Sequence, residues 1–276
     1  MRVGVLGGGR MGAGIAHAFL LAGDDVTIVE RDMGTADAAA DRIRDLLTRS
    51  AARGRIAPGP AEFRTSTDVG DFSDRELVIE AVPEDRALKA DALTRVEAVM
   101  SDAALLATNT SSISIDALAS ALSRPERFLG LHFFNPVPTS ALVEIVIGRA
   151  TVDVSVEQAR AYVDAIGKTP IVVRDSPGFA SSRLGVLLGL EAIRMLEEGV
   201  ADAGDIDRAM ELGYRHPMGP LRTTDLVGLD VRLGIAEELR AAFGERFAPP
   251  ALLRRMVAEG RLGRKSGEGF YRWDAS

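Results

Sequence analysis

Residues 2–12 read Arg2-Val3-Gly4-Val5-Leu6-Gly7-Gly8-Gly9-Arg10-Met11-Gly12. A short apolar strand enters a glycine turn, and helical periodicity begins at Met11 and runs to Leu21. Gly7, Gly9 and Gly12 satisfy G-x-G-x-x-G. The first glycine permits the tight turn, the second lets backbone approach a pyrophosphate, and the third allows close helix–strand packing. The pyrophosphate would rest on the positive N-terminus of the helix. A second strand, residues 26–29, ends at Glu30, twenty-three residues after Gly7. An acid there accepts hydrogen bonds from an adenosine ribose. Gly7, Gly9, Arg10, Met11, Gly12 and Glu30 are therefore expected to bind a dinucleotide. Glu30 would repel a 2′-phosphate, which favours NAD over NADP. Arg31 beside it pulls the other way.

Outward from this turn, strands alternate with helices. Residues 36–52 read as a long helix that Pro58, Gly59 and Pro60 should end. Residues 77–79 and 104–107 read as strands around a helix over 86–100. Alternation of this kind implies a parallel sheet covered on both faces. The pattern then changes. Residues 128–133 and 142–147 are apolar runs joined through Asn135-Pro136-Val137-Pro138, too short for a crossover helix, so this pair is expected to be antiparallel. A helix over 155–166 and a strand over 170–173 follow. Beyond Pro177 the reading is helical, over 182–198, 203–212, 223–243 and 250–259. The expected fold class is α/β, an N-terminal doubly wound and mostly parallel Rossmann-type sheet with a C-terminal all-helical domain. The expected domains are 1–177 for the dinucleotide and 178–276 for the substrate cleft and dimerisation.

Composition narrows the function classes. The chain has 276 residues, 46% of them hydrophobic, and a formal charge of −7. An acidic protein is a poor general binder of nucleic acid, since phosphate neutralisation dominates that binding. No apolar run approaches the ~20 residues that span a bilayer. No secretory signal is read at the start. Cysteine is absent, which removes disulfides and thiolate chemistry and fits a reducing compartment, so a cytoplasmic location is expected. No His/Asp/Glu cluster has metal-ligand spacing, and no bound metal is expected.

Three histidines are present. His17, within the first helix, and His216, before Pro217, read as structural. His132 lies at the end of an apolar strand, where such sheets bind ligands. Glu144 follows twelve residues later, on the returning strand. A carboxylate beside an imidazole fixes its tautomer and steadies imidazolium. An alcohol that loses hydride must also lose a proton, so a base near neutral is the required group. From spacing alone, a catalytic base and a satisfied core histidine are equally served.

Several ordered strings now carry a resemblance. They are Gly7 to Ala16 (G-G-G-R-M-G-A-G-I-A), Ile79 to Glu84 (I-E-A-V-P-E), Thr108 to Ser112 (T-N-T-S-S) and His132 to Pro138 (H-F-F-N-P-V-P). Asp175 to Phe179 (D-S-P-G-F), Pro217 to Pro220 (P-M-G-P) and Gly263 to Tyr271 (G-R-K-S-G-E-G-F-Y) follow. Together they resemble the 3-hydroxyacyl-CoA dehydrogenase family nearly end to end. The resemblance implies NAD-dependent interconversion of (3S)-3-hydroxyacyl-CoA and 3-ketoacyl-CoA. It implies that His132 is the acid/base with Glu144 as partner, and that Ser111 contacts substrate and nicotinamide ribose. It places Asn135 against the nicotinamide, Glu84 and Lys89 on the nicotinamide half, Asn109 among the cofactor residues, and Lys265 as a contact from the C-terminal tail. It also implies a homodimer built on the helical part, where residues 184–190 carry no charge. From residue type alone, Asn109 and Ser111 could equally cap a helix, and Lys89 and Lys265 could equally be solvated.

One position departs from the pattern. Family members commonly carry Pro-Gly-Phe-x-x-Asn-Arg, and the Asn helps place the substrate. Here Ser182 stands at that position. Serine is shorter, and this leaves open the same chemistry on a carrier-protein thioester or a free sugar acid of the gulonate type. A dinucleotide-binding homologue without activity is the alternative of another class. For the anionic coenzyme A handle, Arg42, Arg44, Arg49, Arg53 and Arg55 offer either a phosphate-binding face or a solvated one.

Overall fold

The computed structural model describes residues 1–55, 57, 59 and 61–274, and every count below refers to these. Contacts divide the chain into two compact units, Met1–Ser176 and Pro177–Ser276.

The first unit is built on eight strands: β1 (Arg2–Leu6), β2 (Asp25–Val29), β3 (Phe63–Ser66), β4 (Leu77–Glu80), β5 (Leu105–Thr108), β6 (Phe128–Phe133), β7 (Leu142–Ile147) and β8 (Thr169–Arg174). Their order in the sheet is β3-β2-β1-β4-β5-β6-β7-β8. All neighbours run parallel except β6 and β7, which are antiparallel as the short connection requires. Val3, Val5, Leu77, Ile79, Leu105 and Ala107 join one core with α1 (Arg10–Leu21), α2 (Met33–Ala51) and α5 (Asp153–Ala165). Val78, Leu106 and Phe128 alternate to the other face and are buried too. Near-continuous apolar strands are what such two-sided burial demands. α3 (Arg86–Glu97) packs on β4, and a five-residue helix α4 (Ile115–Ala119) packs on β6.

Two elements here went unread in the sequence, and one helix terminator lies partly outside the described residues. β3 reads Phe-Arg-Thr-Ser, too polar to announce itself, and forms because β2 offers it a parallel edge. α4 is hidden by its length, although Ser114 caps it from the Ala117 N–H. α2 ends at Ala51 through a turn whose Gly54 has φ +74°; Pro58 and Pro60 lie outside the described residues.

The second unit is helical: α6 (Ser181–Glu197), α7 (Ala203–Gly213), α8 (Pro220–Val227), α9 (Leu229–Phe243) and α10 (Ala251–Ala258). The single helix read over 223–243 is two. Gly228 takes φ +105° between α8 and α9, a conformation that stops one helix and starts another. Val186, Leu190, Ile193, Leu221, Leu229, Leu239, Phe247 and Leu253 form its core.

Two buried carboxylates close this unit. Asp225 accepts hydrogen bonds from the Phe270 and Tyr271 amides and from Trp273 Nε1, at 2.8–2.9 Å. Asp207 accepts from the Leu221 and Arg222 amides and from the Tyr271 hydroxyl. The strings around Pro217–Pro220 and Gly263–Tyr271 thus meet on shared acceptors.

Candidate active site

In a parallel sheet the carboxyl ends of the strands share one edge, and ligands bind there. β1 delivers the glycine turn to this edge. Gly7 adopts φ +95°, open to glycine at little steric cost. At Gly12 a Cβ would stand 1.8 Å from the Gly7 carbonyl oxygen, so the helix–strand contact excludes any side chain. Around Gly9 no atom lies within 4 Å of where a Cβ would be. Gly9 N-caps α1 with no side-chain cap, and the first turn holds no acid. Bare amides and open space above them suit a pyrophosphate. Arg10 and Met11 occupy this first turn. Glu30, just past β2, accepts from the Gly8 amide at 2.6 Å, which fastens its carboxylate beside the turn. The exposed Arg31 pairs with Asp32.

The next edge loops lock together. Glu80 ends β4, fully buried, and accepts from Lys89 Nζ (2.7 Å), the Val82 amide and the Thr108 hydroxyl. Burial pushes its carboxyl up, against the pull of Lys89. Glu84 accepts from the Thr110 hydroxyl at 2.6 Å and the Ser111 amide at 2.9 Å, and lies 3.3 Å from Lys89. Burial alone would raise Glu84, but Thr110, Lys89 and Ser111 together hold it below the usual carboxylate range. Lys89 also donates to the Val82 carbonyl, so its ammonium is spent inside the unit. Ser111 itself is exposed. Sequence reasoning missed Glu80, Thr108 and Thr110, although two of the quoted strings contain them.

Asn109 accepts from the Phe133 amide at 2.9 Å, which ties the end of β5 to the residue after His132. His132 and Glu144 are partners in the β6–β7 register, and His132 Nδ1 lies 2.7 Å from Glu144 Oε2. Glu144 is fully buried. Phe134 tilts against the imidazole, with ring centroids 4.5 Å apart. Asn135 follows, exposed, with a cis bond to Pro136. Lys168 donates to the Val137 and Ser140 carbonyls and fastens this loop. From β1 to β6 is three strand spacings, roughly 14 Å, a span that suits a dinucleotide laid from glycine turn to histidine.

Ser182 and Lys265 belong to the second unit. Ser182 sits in the first turn of α6, and Lys265 pairs with Asp230 at 2.6 Å. The basic face of α2 is largely neutralised: Arg44 pairs with Asp41, Arg49 with Asp45, and Arg42 donates to the Gly8 carbonyl. Arg55 reaches the Pro138 carbonyl. His17 is buried against Ser50. Among the described residues no acid/histidine cluster could hold a metal, and no helix is long and apolar enough to cross a membrane.

A dinucleotide edge carrying an imidazole–carboxylate pair, in a chain whose second unit is helical, defines a nicotinamide-dependent dehydrogenase. A model described as the NAD binding domain of 3-hydroxyacyl-CoA dehydrogenase matches residues 2–176, and one described as its C-terminal domain matches 178–273. The chain belongs to the 3-hydroxyacyl-CoA dehydrogenase family. It is 43% identical to the 3-hydroxybutyryl-CoA dehydrogenase of Mycobacterium tuberculosis, over 98% of this chain and 97% of that one. It is 40% identical to a probable 3-hydroxybutyryl-CoA dehydrogenase of Deinococcus radiodurans, over 99% and 100%. The crystal structure of (S)-3-hydroxybutyryl-CoA dehydrogenase from Ralstonia eutropha superposes with a TM-score of 0.93, at 37% identity and 99% coverage of both chains. The chain is thus an NAD-dependent oxidoreductase that interconverts 3-hydroxyacyl-CoA and 3-ketoacyl-CoA.

Proposed function

We propose that His132 moves the hydroxyl proton in this reaction, with Glu144 as its orienting partner. The observation that carries the reading is the 2.7 Å approach of Nδ1 to the buried Glu144 carboxylate at the cofactor edge. With Nδ1 committed to Glu144, the proton exchange falls to Nε2. In the oxidative direction the imidazole takes the proton from the carbinol oxygen. In the reductive direction imidazolium protonates the forming alkoxide, and Glu144 steadies the cation. Bound NAD supplies acceptance of hydride from the carbinol carbon, and the chain supplies everything else. Gly7, Gly9, Arg10, Met11, Gly12 and Glu30 hold the adenosine–pyrophosphate half. Glu84, Asn109, Ser111 and Asn135 order the other half, with Lys89 positioning Glu84. Ser182 and Lys265 act from the second unit, Ser182 toward the acyl group.

The relatives named for 3-hydroxybutyryl-CoA make a short acyl-CoA the first substrate to try. NADH oxidation with acetoacetyl-CoA tests the reading in the wild type and in His132→Asn. The variant should lose ~100- to 10,000-fold in kcat while still binding NADH. Turnover kept by the variant would end the assignment.

The working unit we propose is a homodimer. α6 leaves Leu184 67% and Leu187 38% exposed, and Val227 and Val231 on α8 and α9, which pack on α6, are also exposed. A second copy would remove this apolar surface from water.

A further inference from the structure

The segment after His132 reads Phe133-Phe134-Asn135-Pro136-Val137-Pro138-Thr139-Ser140. Its two prolines carry no N–H, so the loop is short of backbone donors for its carbonyls. The Pro136 carbonyl accepts from the Thr139 and Ser140 amides. The Val137 and Ser140 carbonyls accept instead from Lys168 Nζ, the first of them at 2.7 Å. Sheet pairing brings Lys168 there. It directly precedes β8, whose first residue, Thr169, donates to the Ala141 carbonyl just before β7. Lys168 is only 9% exposed, and burial, with Arg55 nearby, holds its ammonium below the usual lysine range. A buried cation is costly, and here it is committed to one turn of backbone.

The side chains of this segment reach two functional elements. Val137 is buried and seats on Gly14 of α1, where a Cβ would stand 2.9 Å from Val137 Cβ and 3.0 Å from its Cγ2. Glycine is unfavourable inside a helix, so this notch has a cost of its own. Gly14 lies two residues beyond Gly12, on the helix whose first turn faces the dinucleotide edge. Phe134, three residues before Val137, tilts against the His132 imidazole at 4.5 Å. Glu144 holds that ring at Nδ1 only, and histidine χ2 is soft, so the ring could pivot about this one bond. Phe134 on its face limits the pivot. One short segment therefore touches the imidazole with one side chain and the dinucleotide helix with another, and Lys168 fastens the backbone where Val137 sits.

We propose that Lys168 is a positioning residue for the proton transfer: through Val137 on Gly14 and Phe134 on the imidazole, it sets where the His132 ring stands relative to the dinucleotide helix. This rests on the acid/base reading of His132 and adds the residues that aim it. Misplacement of a reacting group by about 1 Å can lower a rate by roughly 100-fold.

The test is turnover of acetoacetyl-CoA per NADH-binding site, with sites counted by fluorescence titration. A merely structural role would lower the number of sites and leave turnover per site unchanged. Lys168→Met, which removes the donor, and Gly14→Ala, which pushes on Val137, should each lose roughly 10- to 100-fold in kcat per site, with KM for NADH little moved. Lys168→Gln keeps an amide donor one bond short and should lose less than Lys168→Met. In the His132→Asn background, Lys168→Met should lower kcat by no more than about threefold further, because the group it aims is gone. Wild-type turnover per site in Lys168→Met or Gly14→Ala overturns the proposal, as does a full additional loss in the His132→Asn background. Turnover lost in His132→Asn but kept in Lys168→Met removes this inference alone; turnover kept in His132→Asn removes the acid/base reading and this inference with it. A variant that binds no NADH leaves the decision to the other two by the same measure.

Discussion

Lys89 and Glu80 form an ion pair with both side chains out of water, 1% and 0% exposed, at 2.7 Å. Taking away one partner strands the other. Lys89→Met should cost ~3–5 kcal/mol in denaturant unfolding. Glu80 already has its carboxyl raised by burial, so its folded form binds protons more tightly than the unfolded chain does. A raised folded pKa gives stability that is present at low pH and lost as pH rises. Without Lys89 this slope should steepen, and mild acid should rescue the variant. A variant as stable as the wild type at neutral pH would refute the burial argument.

Glu144→Gln separates orientation from charge. Glutamine can still accept from Nδ1, but it brings no negative charge to an imidazolium. We expect kcat to drop by roughly 100-fold, less than for His132→Asn, with KM for NADH unchanged. A drop equal to that of His132→Asn would mean that the carboxylate does more than steady the ring.

Glu30 holds the Gly8 amide and stands where the adenosine ribose is expected. In Glu30→Ala the KM for NADH should rise by roughly tenfold. The preference for NADH over NADPH should narrow, since Arg31 remains and the repulsive acid is gone. Steady-state kinetics with both cofactors check this. An unaltered preference would remove Glu30 from cofactor selection.

His17 titrates against the fold. Burial lowers its pKa from the ordinary 6.5, and Arg55 and Lys168 add to the shift. In the unfolded chain the imidazole protonates below about 6.5, while the folded form resists. Stability should therefore be lost as pH falls from 6.5 toward the folded pKa. His17→Gln should flatten the melting temperature between pH 7 and 5 relative to the wild type. Parallel curves for the two proteins would show that other groups set the slope.

Asp225 gathers the C-terminal strap, with three donors on one buried carboxylate. Asp225→Asn loses charge and acceptor capacity together. We expect roughly 3 kcal/mol of destabilisation and faster proteolysis beyond Arg261. Protection of the tail equal to that of the wild type would show that packing of Phe270 and Tyr271 suffices.

Much of this molecule is written in local patterns. The glycine turn, the strand before it and the acid after β2 could be placed by residue because each answers a local backbone requirement. The reversal at β7 followed from a connection too short to cross over. The His132–Glu144 pairing was legible as a spacing, and the register of β6 on β7 turned it into a contact. Less local features stayed hidden. β3 is a strand only because β2 waits beside it. Gly228 looked like one more residue in a helical run until its positive φ divided α8 from α9.

By itself the sequence determined the fold class, the family and the cofactor edge, because periodicity, turn chemistry and ordered motifs act over a few residues. Tertiary structure alone decided how charge is spent. By residue type Lys89 could be solvated or functional, and it is buried on Glu80; Arg49 could meet phosphate or solvent, and it pairs with Asp45. Arg232, on α9, is only 8% exposed, and its Nε has no hydrogen-bond partner. The physical reason is that the energy of a charge depends on the dielectric and the partners around it, and these come from segments far away in the chain.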